Sequence, residues 1–229
     1  MKQTVLVIAA HPDDEVLGCG GTIARHVSEG DEVHVVILSE GATSRDANRN
    51  PEAREQELSS LAQAAYKAGD ILGISSLLLH QFPDNRMDGF ELLDVIKVVE
   101  EHILRKSPTV VYTHHAGDLN IDHQITHKAV ATACRPQPGQ TVRTILFFEV
   151  PSSTEWQIPS SSPSFLPNWF VNISGTLKLK KDALSAYSME MRPWPHARSQ
   201  ETVEHLARWR GASIGTEAAE GFVLGRKMT

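Results

Sequence analysis

The stretch "TVLVIAAHPDDEVLGCGGT", residues 4–22, decides the fold. Its first part, 4–10, is almost wholly apolar and rich in β-branched residues, as in a strand buried on both faces. One imidazole and three carboxylates then crowd into positions 11–15. A helix is expected over 15–28. Charge is therefore concentrated where a buried strand runs out and a helix begins.

Working outward, the same alternation repeats. Apolar runs at 32–39, 76–82, 109–115 and 141–150 read as further strands. Between them, 50–69 has Asn50 as a cap, Pro51 at the first helical position and Gly69 as a stop. The segment 89–106 carries apolar residues at helical spacing, and 122–134 is expected to be a helix. Strand–helix alternation predicts a single domain over 1–229, an α/β fold of Rossmann-like three-layer α/β/α type with a mostly parallel sheet. Two more helical patterns follow near 176–190 and 198–210. No internal repeat is visible.

In such sheets ligands sit outside the carboxyl ends of the strands, near the point where strand order reverses. The segments that leave the strands are "AHPDDE", "SEGATS", "FPDNRMD" and "THHAGDLNIDH". All are polar and dense in His, Asp, Asn and Arg. Residues 151–168, "PSSTEWQIPSSSPSFLPN", are rich in Ser and Pro, with Trp156 and Phe165 embedded. They read as a surface loop or as a lid over substrate.

Composition narrows the function. The chain has 229 residues, 41% hydrophobic and 22% charged, with a formal charge of −6. No Lys/Arg block stands out, which argues against a nucleic-acid partner. No apolar run approaches the roughly 20 residues that span a bilayer. The first residues lack a secretory cleavage pattern. Two distant cysteines, Cys19 and Cys134, form no disulfide framework. A cytoplasmic location is expected, so the Asn172-Ile173-Ser174 glycosylation match is read as chance.

Two readings compete for the first turn. Gly18, Gly20 and Gly21 after the first strand, with Glu40 ending the second, invite a dinucleotide site. The spacing is wrong, with Ile23 where the third glycine belongs. Asp13, Asp14 and Glu15 would also repel a pyrophosphate at the helix N-terminus. A lone Asp there would be a plain cap, but a cap does not explain its neighbours. His11 and Asp14 suit a divalent ion, and Asp13 between them suits a base facing water. An open metal site usually takes three protein ligands. His123 in "NIDHQITH", 120–127, is the expected third, with Asp122 as a supporting carboxylate or helix cap. "HQITH" imitates the zinc helix H-E-x-x-H, but Gln124 cannot serve as its base, so His127 is read as packed or as a histidine supporting the ligands from behind. His26, His34, His80, His102 and His205 are read as structural or exposed. His114 and His115 remain open as site residues.

With "AHPDDE" after the first strand and a later Asp-His after the fourth, the sequence resembles the LmbE-like, or PIG-L, de-N-acetylase family. "AREQEL" at 53–58, "FPDNRMD" at 82–88 and "PHARSQE" at 195–201 extend the likeness over nearly the whole chain. The resemblance implies a zinc hydrolase that removes acetyl from an N-acetylated amino sugar, with Fe²⁺ as the other metal such donors accept. It implies His11, Asp14 and His123 as metal ligands, Asp13 as general base and Arg54 as a substrate-orienting or site-shaping cation. Arg86 and Trp156 are the further expected substrate contacts. One departure stands out: many members read His-x-Asp-His in the second motif, and Asn120 occupies the first position here. Asn120 can donate a hydrogen bond that helps stabilise the oxyanion but no proton, so His196 is expected to take the acid role, with His114 or His115 as alternatives. The expected partner is a small N-acetylated sugar; a homo-oligomer is also allowed. A phosphoesterase and a non-catalytic sugar-binding relative are the competing classes.

Overall fold

The computed structural model describes residues 2–158 and 161–229. Five parallel strands come first: β1 (Thr4–Ala9), β2 (Glu32–Ser39), β3 (Ser76–Phe82), β4 (Val110–His114) and β5 (Thr144–Phe148). Helices α1 (Asp14–Ser28), α2 (Glu55–Leu72), α3 (Leu92–Lys106) and α4 (Ile121–Ala133) alternate with them. This is the α/β arrangement the alternating pattern predicts. Strand periodicity sorts the core into two layers. Val5, Val7 and Ala9 of β1 pack toward α1 and α2, while Leu6 and Ile8 pack toward α3 and α4.

The remaining chain holds the two helices expected near 176–190 and 198–210, and adds two strands that the pattern did not predict. Beyond β6 (Trp169–Asn172), α5 (Leu177–Ala186) and α6 (Gln200–Ala212) lies β7 (Ala219–Lys227). β7 pairs antiparallel with both β5 and β6, giving the sheet order β3-β2-β1-β4-β5-β7-β6. β1 and β4 are neighbours although α1, β2, α2, β3 and α3 separate them in sequence. Strand order reverses between them, which opens a crevice at their carboxyl ends.

Two sequence boundaries are corrected. Asn50 Oδ1 accepts from the Ala53 backbone N–H at 3.1 Å, so it caps a short 3₁₀ turn, and α2 starts only at Glu55. The helix also runs past Gly69 to Gly73, whose φ of 75° ends it in the left-handed region.

Helix α1 is kinked at Cys19, whose φ of −148° is not helical. The break frees backbone donors, and the Glu220 carboxylate of β7 takes those of Gly21 and Thr22 at 3.0 and 2.7 Å. Lys180 of α5 is buried against the same carboxylate and donates to the Leu17 carbonyl at 2.8 Å. The glycines whose spacing invites a dinucleotide site serve close packing. A Cβ at Gly18 would lie 2.4 Å from the Phe148 ring, and one at Gly21 2.7 Å from Ile173.

Candidate metal centre

The turn 10–13 leaves β1 and enters α1 through Asp13, which has φ 104° and no side-chain cap bond. Its carboxylate is thus not a helix cap. Glu15 holds the turn: Oε2 accepts from the Asp13 backbone N–H at 3.1 Å, and Oε1 from Tyr187 Oη at 2.6 Å. Burial pushes the Glu15 carboxyl up to about 7.

Across the crevice, α4 begins after β4 and presents His123. His11 Nδ1 lies 3.2 Å from His123 Nε2 and 3.2 Å from Asp14 Oδ2. Asp14 Oδ2 is 3.1 Å from His123 Nε2, closing a triangle. Donors at about 2.0–2.1 Å from a tetrahedral ion lie about 3.3 Å apart, so the triangle has the size of a zinc face. The outer nitrogens fix the tautomers. His11 Nε2 donates to Asp122 Oδ2 at 3.0 Å, and His123 Nδ1 faces Asp118 Oδ1 at 3.1 Å. The inner nitrogens then point lone pairs at each other and at a carboxylate, an arrangement that calls for a cation between them.

Electrostatics agree. Burial opposes charge on His123, but Asp14 and Asp118 outweigh it and lift the ring to about 9. His11 is likewise raised, with burial overcome by its bonds to Asp122 and Asp14. Asp14 is lowered despite burial, chiefly by His123 and His11. Asp118 falls to about 2, because His123 and its hydrogen bonds outweigh burial. Positive charge is favoured at this spot, whether as protons or as an ion.

Asp13 stands beside the triangle. Its Oδ2 accepts from Arg198 Nη1 at 3.1 Å, while the buried Oδ1 has no hydrogen-bond partner among the described residues. Burial raises its pKa well above the carboxylate range, although the Arg198 guanidinium pulls the other way.

The other expected residues stand as follows. Asn120 caps α4: Oδ1 accepts from the Asp122 N–H at 2.8 Å, and Nδ2 donates to Asn85 Oδ1 at 2.8 Å. Its amide is thus used in the frame. His196 is exposed; its Nδ1 accepts from the Arg198 N–H at 3.0 Å, and its ring meets half-exposed Trp156 at 5.9 Å. From that stretch it is the longer Arg198 side chain that reaches Asp13. Arg54 makes a bidentate pair with Asp46 at 2.7 and 2.8 Å, and Arg86 donates to the carbonyls of Asp46 and Ala47. Both clamp the loop after β2. His114 Nε2 accepts from the Ala10 N–H at 2.8 Å, and its ring stacks on His123 at 3.9 Å. Its lone pair is spent, and burial keeps it neutral. His115 Nε2 meets the Pro163 carbonyl at 3.0 Å, against the 151–168 segment, of which 159 and 160 lie outside the described residues.

Sequence reasoning missed Asp118, Arg198 and Asp84. Asp84 Oδ1 lies 3.4 Å from His11 Nε2, and its Oδ2 accepts from Ser44 N and Oγ at 3.1 and 2.6 Å. All three lie inside polar stretches already singled out, but no spacing rule separates them from their neighbours.

The class is an α/β protein with a His-Asp-His donor set, its Asp14 and His123 buried and its His11 half-buried, at the switch point of a mostly parallel sheet. The chain belongs to the PIG-L, or GlcNAc-PI de-N-acetylase, family, whose model matches residues 6–134. It is 31% identical over 179 residues to the uncharacterized deacetylase YaiS of Escherichia coli K12, covering 75% of this chain and 83% of that one. It is 28% identical to the 1D-myo-inositol 2-acetamido-2-deoxy-α-D-glucopyranoside deacetylase of Rhodococcus erythropolis, covering 94% and 84%. Its fold also superposes on GalB, the 4-carboxy-2-hydroxymuconate hydratase of Pseudomonas putida, with TM-score 0.78 and 25% identity, covering 100% and 98%.

Proposed function

We propose that the chain is a zinc-dependent hydrolase that removes the acetyl group from an N-acetylglucosamine-type amino sugar or its conjugate. The observation that carries this reading is the convergence of His11 Nδ1, His123 Nε2 and Asp14 Oδ2 beside the unpartnered Asp13 Oδ1. A divalent ion held by these three residues supplies Lewis acidity, acidifying water and polarising an amide carbonyl.

Asp13 does the proton work. Oδ1 takes a proton from the attacking water as its oxygen bonds to the carbonyl carbon. Burial raises the affinity of Asp13 for that proton, so it holds it and passes it to the amine nitrogen as the C–N bond breaks. Acetate and a free amine result. Arg198 holds Oδ2, which leaves Oδ1 turned to the reaction. Asp122 and Asp118 hold the two imidazoles in the required tautomers. Trp156 offers an exposed face for a sugar ring, and Arg54 and Arg86 shape the loop after β2.

Charge balance favours a neutral substrate. Arg45, Arg49, Arg54 and Arg198 each face a carboxylate, and Arg86 faces backbone carbonyls. None of these five arginines is left over for a phosphate or a dicarboxylate, which argues against a phosphoesterase and against the hydratase chemistry of GalB. A panel of N-acetylated sugars, a phosphomonoester and an unsaturated dicarboxylate tests this, with and without chelator. Chelator-sensitive release of acetate and free amine is expected. His11→Ala and His123→Ala should each lower zinc content. Full zinc occupancy in both variants, or turnover of the dicarboxylate alone, would overturn the proposal.

A further inference from the structure

The turn that follows β5 touches both halves of the site. Ser152 Oγ accepts from Arg198 Nε at 2.7 Å, and the same guanidinium holds Asp13. Ser153 Oγ donates to Asp118 Oδ1, and Thr154 Oγ1 donates to Asp118 Oδ2 at 2.7 Å. Asp118 in turn faces His123 Nδ1. Three consecutive hydroxyls therefore buttress two side chains that come from opposite sides of the crevice. The turn is itself well tied. Glu155 accepts from the N–H groups of Ser152 and Ser153 at 2.7 and 3.3 Å, and Thr154 Oγ1 accepts from the Val150 N–H at 2.8 Å. Ser152 is held at φ 73°, a left-handed conformation that costs a non-glycine residue free energy. Ser153, Thr154 and Asp118 are all buried.

We propose that the turn 152–154 is a positioning element of the site, in which Ser153 and Thr154 set His123 through Asp118 and Ser152 sets Asp13 through Arg198. The turn is the root of the segment that carries Trp156. Any ligand that shifts that segment therefore acts on the donor set and on the proton carrier together. The physical basis is that a donor imidazole is aimed by the carboxylate behind it, and that carboxylate by its own hydrogen bonds. This inference rests on the metal-dependent reading above.

The test is a cycle of zinc affinities measured by chelator competition on the full chain. Its members are wild type, Ser153→Ala/Thr154→Val, Asp118→Ala and the triple variant. Removing outer partners of a ligand typically weakens metal about 10–100-fold. The double variant should lose about tenfold, while Thr154→Ser, which keeps the hydroxyl, retains wild-type affinity. In the Asp118→Ala background the hydroxyl deletions should cost less than in wild type, because the route through Asp118 is gone and what is left to lose is the 3.4 Å contact of Ser153 Oγ with His123 Nδ1. Ser152→Ala should bind zinc as wild type does and lower kcat with KM unchanged. Double-variant affinity within about twofold of wild type, or losses that simply add in the triple variant, would overturn the inference alone. A wild-type chain that binds no zinc would overturn the proposed function and the inference with it.

Discussion

Asp13→Asn isolates the proton-carrying role while disturbing little else. The two side chains have nearly the same volume, and the backbone at φ 104° is one that asparagine tolerates better than most residues. The amide keeps an oxygen for Arg198 Nη1, which sits 3.1 Å from Oδ2. The lost attraction to Arg198 is offset by relief from burying a charge next to Asp14 and Glu15, so folding stability should move by no more than about 1 kcal/mol. Asp13 contributes no atom to the His11–Asp14–His123 triangle, so zinc stoichiometry should hold. What disappears is the base. A positioned general base contributes about 10²–10⁴-fold, which is about 3–5 kcal/mol of barrier at 1.36 kcal/mol per decade. kcat/KM for amine release should therefore fall by that factor while metal analysis returns the wild-type value. A zinc-loaded variant within about tenfold of wild type would refute the assignment. Loss of the zinc itself would make Asp13 a ligand and redraw the site.

Other predictions concern the frame. Lys180→Met strips the partner from a buried carboxylate; such losses cost about 3–5 kcal/mol, or roughly 6–20 °C in Tm for a chain of this size. The lower end is expected, since Glu220 keeps the Gly21 and Thr22 N–H groups. Adding Glu220→Gln should restore part of the loss, and a Tm within 1–2 °C of wild type (a shift of about 0.5 kcal/mol) would show the pair to be inert. Gly18→Ala drives a methyl to 2.4 Å from Phe148, whose ring backs His114 at 4.7 Å. Overpacking of about 1–3 kcal/mol should appear in denaturant titration. The His80–His102 pair, joined at 2.7 Å between Nε2 atoms, gives a pH dependence. Burial lowers both rings, and at His102 the His80 ring adds to it. The unfolded chain then binds more protons, so this stability is intact above about 6.5, the ordinary histidine pKa, and is lost as pH falls through the folded values. Tm followed from pH 7.5 to 5.5 (a window of about one unit either side of 6.5) should fall less steeply in His102→Gln than in wild type; parallel curves would count against the pair.

The strands β1 to β5 were legible because each is a short apolar run between helical patterns, and both signals are local. His11, Asp14 and His123 were legible because they directly follow β1 or open the helix after β4, where a parallel sheet places its ligands. The antiparallel edge was not. β6 is only four residues long, and β7 carries Gly221 and Gly225, so neither shows a clear period of two. Arg198 meets Asp13 across 185 positions, and Ser153 meets Asp118 across 35.

The sequence by itself determined the element order as far as β5, the α/β class and the two motifs that bear the chemistry, because periodicity and turn residues act over a few positions. Tertiary structure alone decided which nitrogen of each histidine faces inward, that Asn120 is a cap, that the His196 ring is exposed beside Trp156 and that Arg198 holds Asp13. These choices follow from hydrogen-bond partners brought together only when β4 seats beside β1 and β7 closes over the kink in α1.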